Sequence, residues 1–66
     1  MNSMNRIQEV LDQQGISKAD LARLLHKSKA TISLYSSNQV QPPLPVLFDI
    51  ANLLGVDPRE LLNVKK

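Results

Sequence analysis

No cysteine occurs in this chain, and His26 is its only histidine. For 66 residues that is a severe restriction. A chain this short buries little apolar surface, and short chains commonly compensate with disulfides or a structural metal. Disulfides and thiolate ligands are excluded without cysteine, and a lone histidine does not build a zinc site. What remains is one compact unit that packs helix against helix, alone or against a second copy.

Apolar periodicity supplies the helices. Ile7, Val10, Leu11 and Gln14 recur at i, i+3, i+4 spacing, and Gly15 stands where a left-handed residue would end that helix. Ser17 is a hydroxyl N-cap with Asp20 three residues on, the capping-box pattern. The apolar face that follows is Leu21, Ala22 and Leu25, ending near His26 without a glycine. Ser28 caps a third helix over about Lys29–Ser36, with Ile32 and Tyr35 inward. Residues 37–43 lose the period and end in Pro42-Pro43, which reads as an extended loop.

A fourth helix, about Leu44–Leu54, turns Leu47, Ile50, Ala51 and Leu54 inward and closes at Gly55. Asp57-Pro58-Arg59-Glu60 then offers a cap, an N1 proline and a capping-box acid for a fifth, with Leu61 and Leu62 returning to the core. No β-type alternation appears. The prediction is an all-α, compact five-helix bundle: one domain over 1–66, with an ordered core of about 5–63. No apolar run approaches the roughly 20 residues that span a bilayer, and Met1–Asn5 is polar with no hydrophobic region behind it. A soluble cytoplasmic protein with no membrane partner is expected.

The net charge of +2 is small, but it is unevenly distributed. Residues 17–41 hold Lys18, Arg23, Lys27 and Lys29 against Asp20 alone, whereas the remainder holds Arg6, Arg59, Lys65 and Lys66 against Glu9, Asp12, Asp49, Asp57 and Glu60. An anionic partner such as a phosphate backbone accounts for this, as does a solvated charged face. The third helix adds a clue. Ser28, Thr31, Ser33, Ser36 and Ser37 cost helix propensity. That cost makes sense where short side chains let a helix backbone approach a groove, and the B-DNA major groove, about 12 Å wide, admits one helix. The break of about three residues between helices two and three suits a helix-turn-helix.

The stretch "ISKADLARLLHKSKATISLYSSN", followed by "PPLPVLFDIANLLGVDPRELL", resembles the Cro/repressor-type, or XRE, helix-turn-helix family. The resemblance spans about residues 5–63. It is carried by Leu21-Ala22, by S-x-x-T-I-S at Ser28, Thr31, Ile32 and Ser33, and by L-x-x-I-A-x-L-L-G-V-D from Leu47 to Asp57. It implies a lambda-repressor-like bundle that docks helix three in the major groove of double-stranded DNA, in many members as a dimer on a two-fold operator. By position, Lys29, Ala30, Ser33 and Leu34 match base-facing residues. Ser17 and Lys18 match the phosphate-contacting start of helix two, and Ser37 and Asn38 a phosphate-contacting region after helix three. The chain departs from the family pattern at Lys18 (often glutamine), His26 (commonly glycine), Lys27 (a buried aliphatic), Ser36 (an acid) and Pro43 (an N-cap serine), so the turn at His26 is expected to be strained or rearranged.

Side-chain chemistry gives each of these residues a role beside a plainer one. Lys29 has the donors to reach guanine O6 and N7, or a phosphate. Leu34 offers a contact for a thymine methyl, or folds over the core edge. Thr31 is a phosphate-contact candidate that also borders the inward face, and backbone amides near Ser17 and Lys18 suit a phosphate. Phe48, Leu53, Leu62 and Val64 are candidates for a homodimer interface, or complete the monomer core. The expected function is sequence-specific binding of double-stranded DNA by a transcriptional regulator; the alternative is an antitoxin-like protein-interaction module that kept the fold. No nucleophile–base pair, metal-ligand cluster or Gly-rich phosphate loop is present, so neither catalysis nor a cofactor or small-molecule ligand is expected.

Overall fold

A computed structural model describes residues 4–63. Its elements are α1 (Ile7–Gln14), α2 (Lys18–Leu25), α3 (Lys29–Ser36), α4 (Leu44–Leu54) and a single 3-10 turn, Pro58–Leu61. The architecture is all-α, with no strand among the described residues. One isolated antiparallel bridge pairs Asn5 with Leu62. None of the described helices is long and apolar enough to cross a membrane.

The core is one cluster fed by every element. Ile7, Leu11, Leu21, Ile32, Ile50 and Leu61 are its fully buried large side chains, joined by Val10, Ala22, Tyr35, Leu47, Ala51 and Leu54. Burial of each large aliphatic contributes about 1.5–3 kcal/mol, which is how so short a chain holds together without a staple. The apolar residues expected inward on α3 and α4 are all buried, and on α3 Ser36 joins them. Leu25 is only half-buried, at the edge of the cluster. Gln14 closes α1 onto α4: its Nε2 donates to the Leu54 carbonyl at 2.7 Å, satisfying an acceptor that the helix end leaves open.

All four helices end with the same pair of bonds, in which two successive amides fold back onto the last turn. Gly15 and Ile16 donate to Asp12 and Leu11, His26 and Lys27 to Arg23 and Ala22, Asn38 and Gln39 to Tyr35 and Leu34, and Gly55 and Val56 to Asn52 and Ala51. This geometry needs a left-handed residue. Gly15 and Gly55 supply it at φ 68°, but α2 and α3 use His26 (φ 56°) and Asn38 (φ 65°). The strained turn expected at His26 is thus localised to one backbone angle.

The expected fifth α-helix is a single 3-10 turn. Asp57 and Glu60 do form the capping box, with Pro58 in the first turn. Leu62, however, is extended (φ −99°, ψ 140°) because the chain pairs with the N-terminal segment. Arg6 N donates to the Leu61 carbonyl at 2.8 Å and Asn63 N to the Met4 carbonyl at 3.0 Å. Leu61 is buried, but Leu62 is exposed rather than returned to the core. Val64 lies outside the described residues.

Candidate functional site

Helices α2 and α3 are joined by His26, Lys27 and Ser28. Both begin with a hydroxyl cap. Ser17 Oγ accepts from the Asp20 amide at 3.0 Å, and Ser28 Oγ from the Thr31 amide at 3.1 Å. The Asp20 carboxylate pairs with Arg23, so the box anticipated at Ser17 is made on one side only.

Each helix places a lysine at its first position, Lys18 in α2 and Lys29 in α3. A helix N-terminus carries partial positive charge and disfavours a cation by about 0.3–1 kcal/mol. The first turn of α3 has no acid to offset this. Neither Lys18, Lys27 nor Lys29 forms an ion pair among the described residues, whereas Arg23 is matched by Asp20. The first two amides of each helix have no intrahelical acceptor. The starts of these two consecutive helices therefore each combine open amides with an unpaired ammonium group, an arrangement that favours an anion.

At about 100° per residue, the buried face of α3 is Ile32, Tyr35 and Ser36. Ala30, Leu34 and Ser37 lie opposite, with Lys29 and Ser33 on one shoulder and Thr31 on the other. Lys29, Ala30, Leu34 and Ser37 are exposed; Thr31 and Ser33 are half-buried. Leu34 is 39% exposed and does not fold away into the core. Ser36 differs from the other hydroxyl residues of this segment: it is 5% exposed and its Oγ donates to the Ser33 carbonyl.

The remaining hydroxyls differ in availability. Thr31 Oγ1 sits 2.9 Å from Ser28 Oγ, and Ser37 Oγ donates to the Leu34 carbonyl at 3.3 Å. Ser33 is the outer-face hydroxyl of α3 with no partner among the described residues.

The segment after α3 is built differently from the expectation. The amides of Ser37, Asn38, Gln39 and Val40 all fold back onto α3 carbonyls. The Asn38 side chain is engaged through both amide atoms: Oδ1 accepts from the amides of Met4 (2.9 Å) and Asn5 (2.8 Å) and from Gln41 Nε2, while Nδ2 donates to the Asn5 carbonyl. Asn38, matched by family position to a phosphate contact, is here committed to holding the N-terminal segment. Sequence reasoning missed Asn5, which is 4% exposed. Its partners lie 30 to 36 residues away, and its one local signal is an asparagine just before a helix, whose Oδ1 accepts from the Ile7 amide.

Phe48 and Leu53 are 53% and 42% exposed on α4, and Leu62 39%, so the described dimer candidates do not complete the monomer core.

The family model described as helix-turn-helix matches residues 7–61. Among solved structures, the chain is similar to the crystal structure of a candidate DNA-binding protein from Bacteroides fragilis, at 45% identity over 91% of this chain and 97% of that one, with a TM-score of 0.89. No curated protein gives a significant match.

Proposed function

The chain belongs to the Cro/repressor-type, or XRE, helix-turn-helix family, and we propose that it is a transcriptional regulator that binds double-stranded DNA sequence-specifically, with α3 laid in the major groove. One observation carries this reading. Lys18 and Lys29 each occupy the first position of a helix, where a cation works against the helix and a phosphate would be drawn by ammonium and amides together. Lysines so placed are a liability in the free protein and an asset against a polyanion.

Lys18 and the amides of the α2 start contact phosphate, with Ser17 as their cap. The exposed face of α3 then meets base edges. Lys29 donates to guanine O6 and N7, Ser33 uses its free hydroxyl, Leu34 packs on a thymine methyl, and Ala30 lets the backbone come close. Thr31 and Ser37 border this surface with hydroxyls already partnered, so they contact phosphate only as secondary members. The exposed Phe48, Leu53 and Leu62 belong to the homodimer interface through which two copies read half-sites about 34 Å apart.

Selection from random duplex DNA at moderate salt tests the reading. Enrichment of a discrete, two-fold motif is expected. Failure to enrich any sequence would sink it and favour a protein-interaction module on the same fold.

A further inference from the structure

A ring of three side-chain amides joins the N-terminal segment to the end of α3. Asn5 Nδ2 donates both its protons, to the Tyr35 carbonyl at 2.9 Å and to Gln41 Oε1 at 2.8 Å. Gln41 Nε2 donates to Asn38 Oδ1 at 3.2 Å. The Asn38 side chain returns to the Asn5 backbone, its Oδ1 accepting from the Asn5 amide at 2.8 Å and its Nδ2 donating to the Asn5 carbonyl at 3.2 Å. No buried polar side-chain atom among the described residues is left without a partner.

The ring sits where α3 most needs it. A helix whose outer face is kept clear for a ligand is held only by its inner face, here Ile32, Tyr35 and Ser36. Its first turn is fixed by Ser28. Its last turn carries the outward Ser33 and Leu34 and ends on Asn38, a left-handed residue that is not glycine. The carbonyl of Tyr35, one of the two large anchors, is the acceptor that Asn5 takes. Apolar packing is non-directional, whereas hydrogen bonds to a carbonyl fix distance and angle together. The ring therefore sets the rotation and tilt that packing leaves loose, and does so from the side away from the ligand face.

We propose that Asn5 and Asn38 are positioning residues for DNA recognition: without touching DNA, they set the pose of the α3 C-terminal turn that presents Ser33 and Leu34. The proposal rests on the reading of α3 as the DNA-reading helix. Its consequence is that affinity and base discrimination depend on residues outside the interface, because a small displacement of a recognition element removes contacts that demand close geometry.

The test uses Asn38→Gly, which keeps the left-handed backbone and deletes the amide, and Gln41→Met, which opens the ring at near-constant shape. Ile50→Val, in the core on α4, serves as the control for general destabilisation. Duplex binding is measured on the selected motif and on single-base variants of it, and amide exchange on the free proteins. In Asn38→Gly and Gln41→Met, exchange at Ser37, Gln39 and Val40 should accelerate at least tenfold beyond any rise shared with α1. Affinity should drop at least fivefold beyond Ile50→Val at equal folded fraction, with weaker discrimination between base variants. Uniform acceleration matching the control, or affinity equal to the control, overturns the proposal. Should the wild-type chain select no duplex, the DNA reading is what fails; localised exchange would then still support the ring as the device that fixes α3, and uniform exchange would end that as well.

Discussion

Ser28 Oγ accepts from the Thr31 amide at 3.1 Å and lies 2.9 Å from the Thr31 hydroxyl. One serine thus closes the first turn of α3 through both the backbone and the side chain of the same residue. Ser28→Ala should cost about 1 kcal/mol of stability, read as a lowered urea midpoint with unchanged slope. A loss below a few tenths would show that the cap contributes nothing beyond what water supplies.

Lys29 and Lys18 should show opposite signs for stability and binding. Lys29→Glu and Lys18→Glu each place an acid at a helix start and should stabilise the free protein by about 0.3–1 kcal/mol while weakening DNA binding severely. With alanine the two positions separate. Lys29→Ala should lose about 1–3 kcal/mol of discrimination at one base pair, and Lys18→Ala should weaken all sequences alike and reduce the salt slope by about one. Equal, sequence-blind losses at both would remove Lys29 from base readout.

His26 is held at φ 56° between α2 and α3. A left-handed backbone costs a residue with a Cβ about 1–2 kcal/mol, and glycine removes that strain at an entropic cost of about 0.5–1 kcal/mol. His26→Gly should therefore leave Tm unchanged or raise it slightly, whereas His26→Val should lower it. A clear drop for the glycine variant would mean that the imidazole makes a contribution of its own.

The Arg59 guanidinium, donating to both Asp57 carboxylate oxygens, holds that carboxyl below the usual carboxylate range, helped by the Arg59 amide. A lowered folded value means that the folded chain binds fewer protons than the unfolded chain in acid. The stabilisation is present above the unfolded value and fades as pH falls through the folded one. The difference in Tm between wild type and Asp57→Asn should be constant near neutrality and shrink below about pH 4. A difference that is flat down to strong acid would contradict this.

Phe48 is more than half exposed on α4. If it lies in the homodimer interface, Phe48→Glu should convert a concentration-dependent dimer to monomer in sedimentation while leaving the monomer folded. A wild-type chain that stays monomeric both free and on DNA rules the interface out.

The helices were legible because their signals are local. Ser17, Ser28 and the Asp57–Glu60 box mark starts, Gly15 and Gly55 mark ends, and the buried apolar residues of α3 and α4 follow from spacing alone. The family pattern matched Asn38 to a phosphate contact by position and gave no sign of its bonds to the N-terminal segment. Two of its three partners, Met4 and Asn5, lie more than 30 positions away, and no periodicity links residues so far apart. The fifth helix failed for the same reason: its capping signals are real, but the bridge from Asn5 to Leu62 draws the chain out after one turn. Ser36 shows the limit of residue type, since a serine counted as polar is buried by donating to its own helix.

Because the Met4 carbonyl receives the Asn63 amide at 3.0 Å, the two ends of the described chain lie side by side. A short linker would suffice to join them, making the domain a natural subject for circular permutation. New ends opened between α1 and α2 would spare the amide ring, and ends opened in residues 39–41 would cut through it. Comparing two such permuted proteins would separate the contribution of chain continuity at the close of α3 from that of its amino acids.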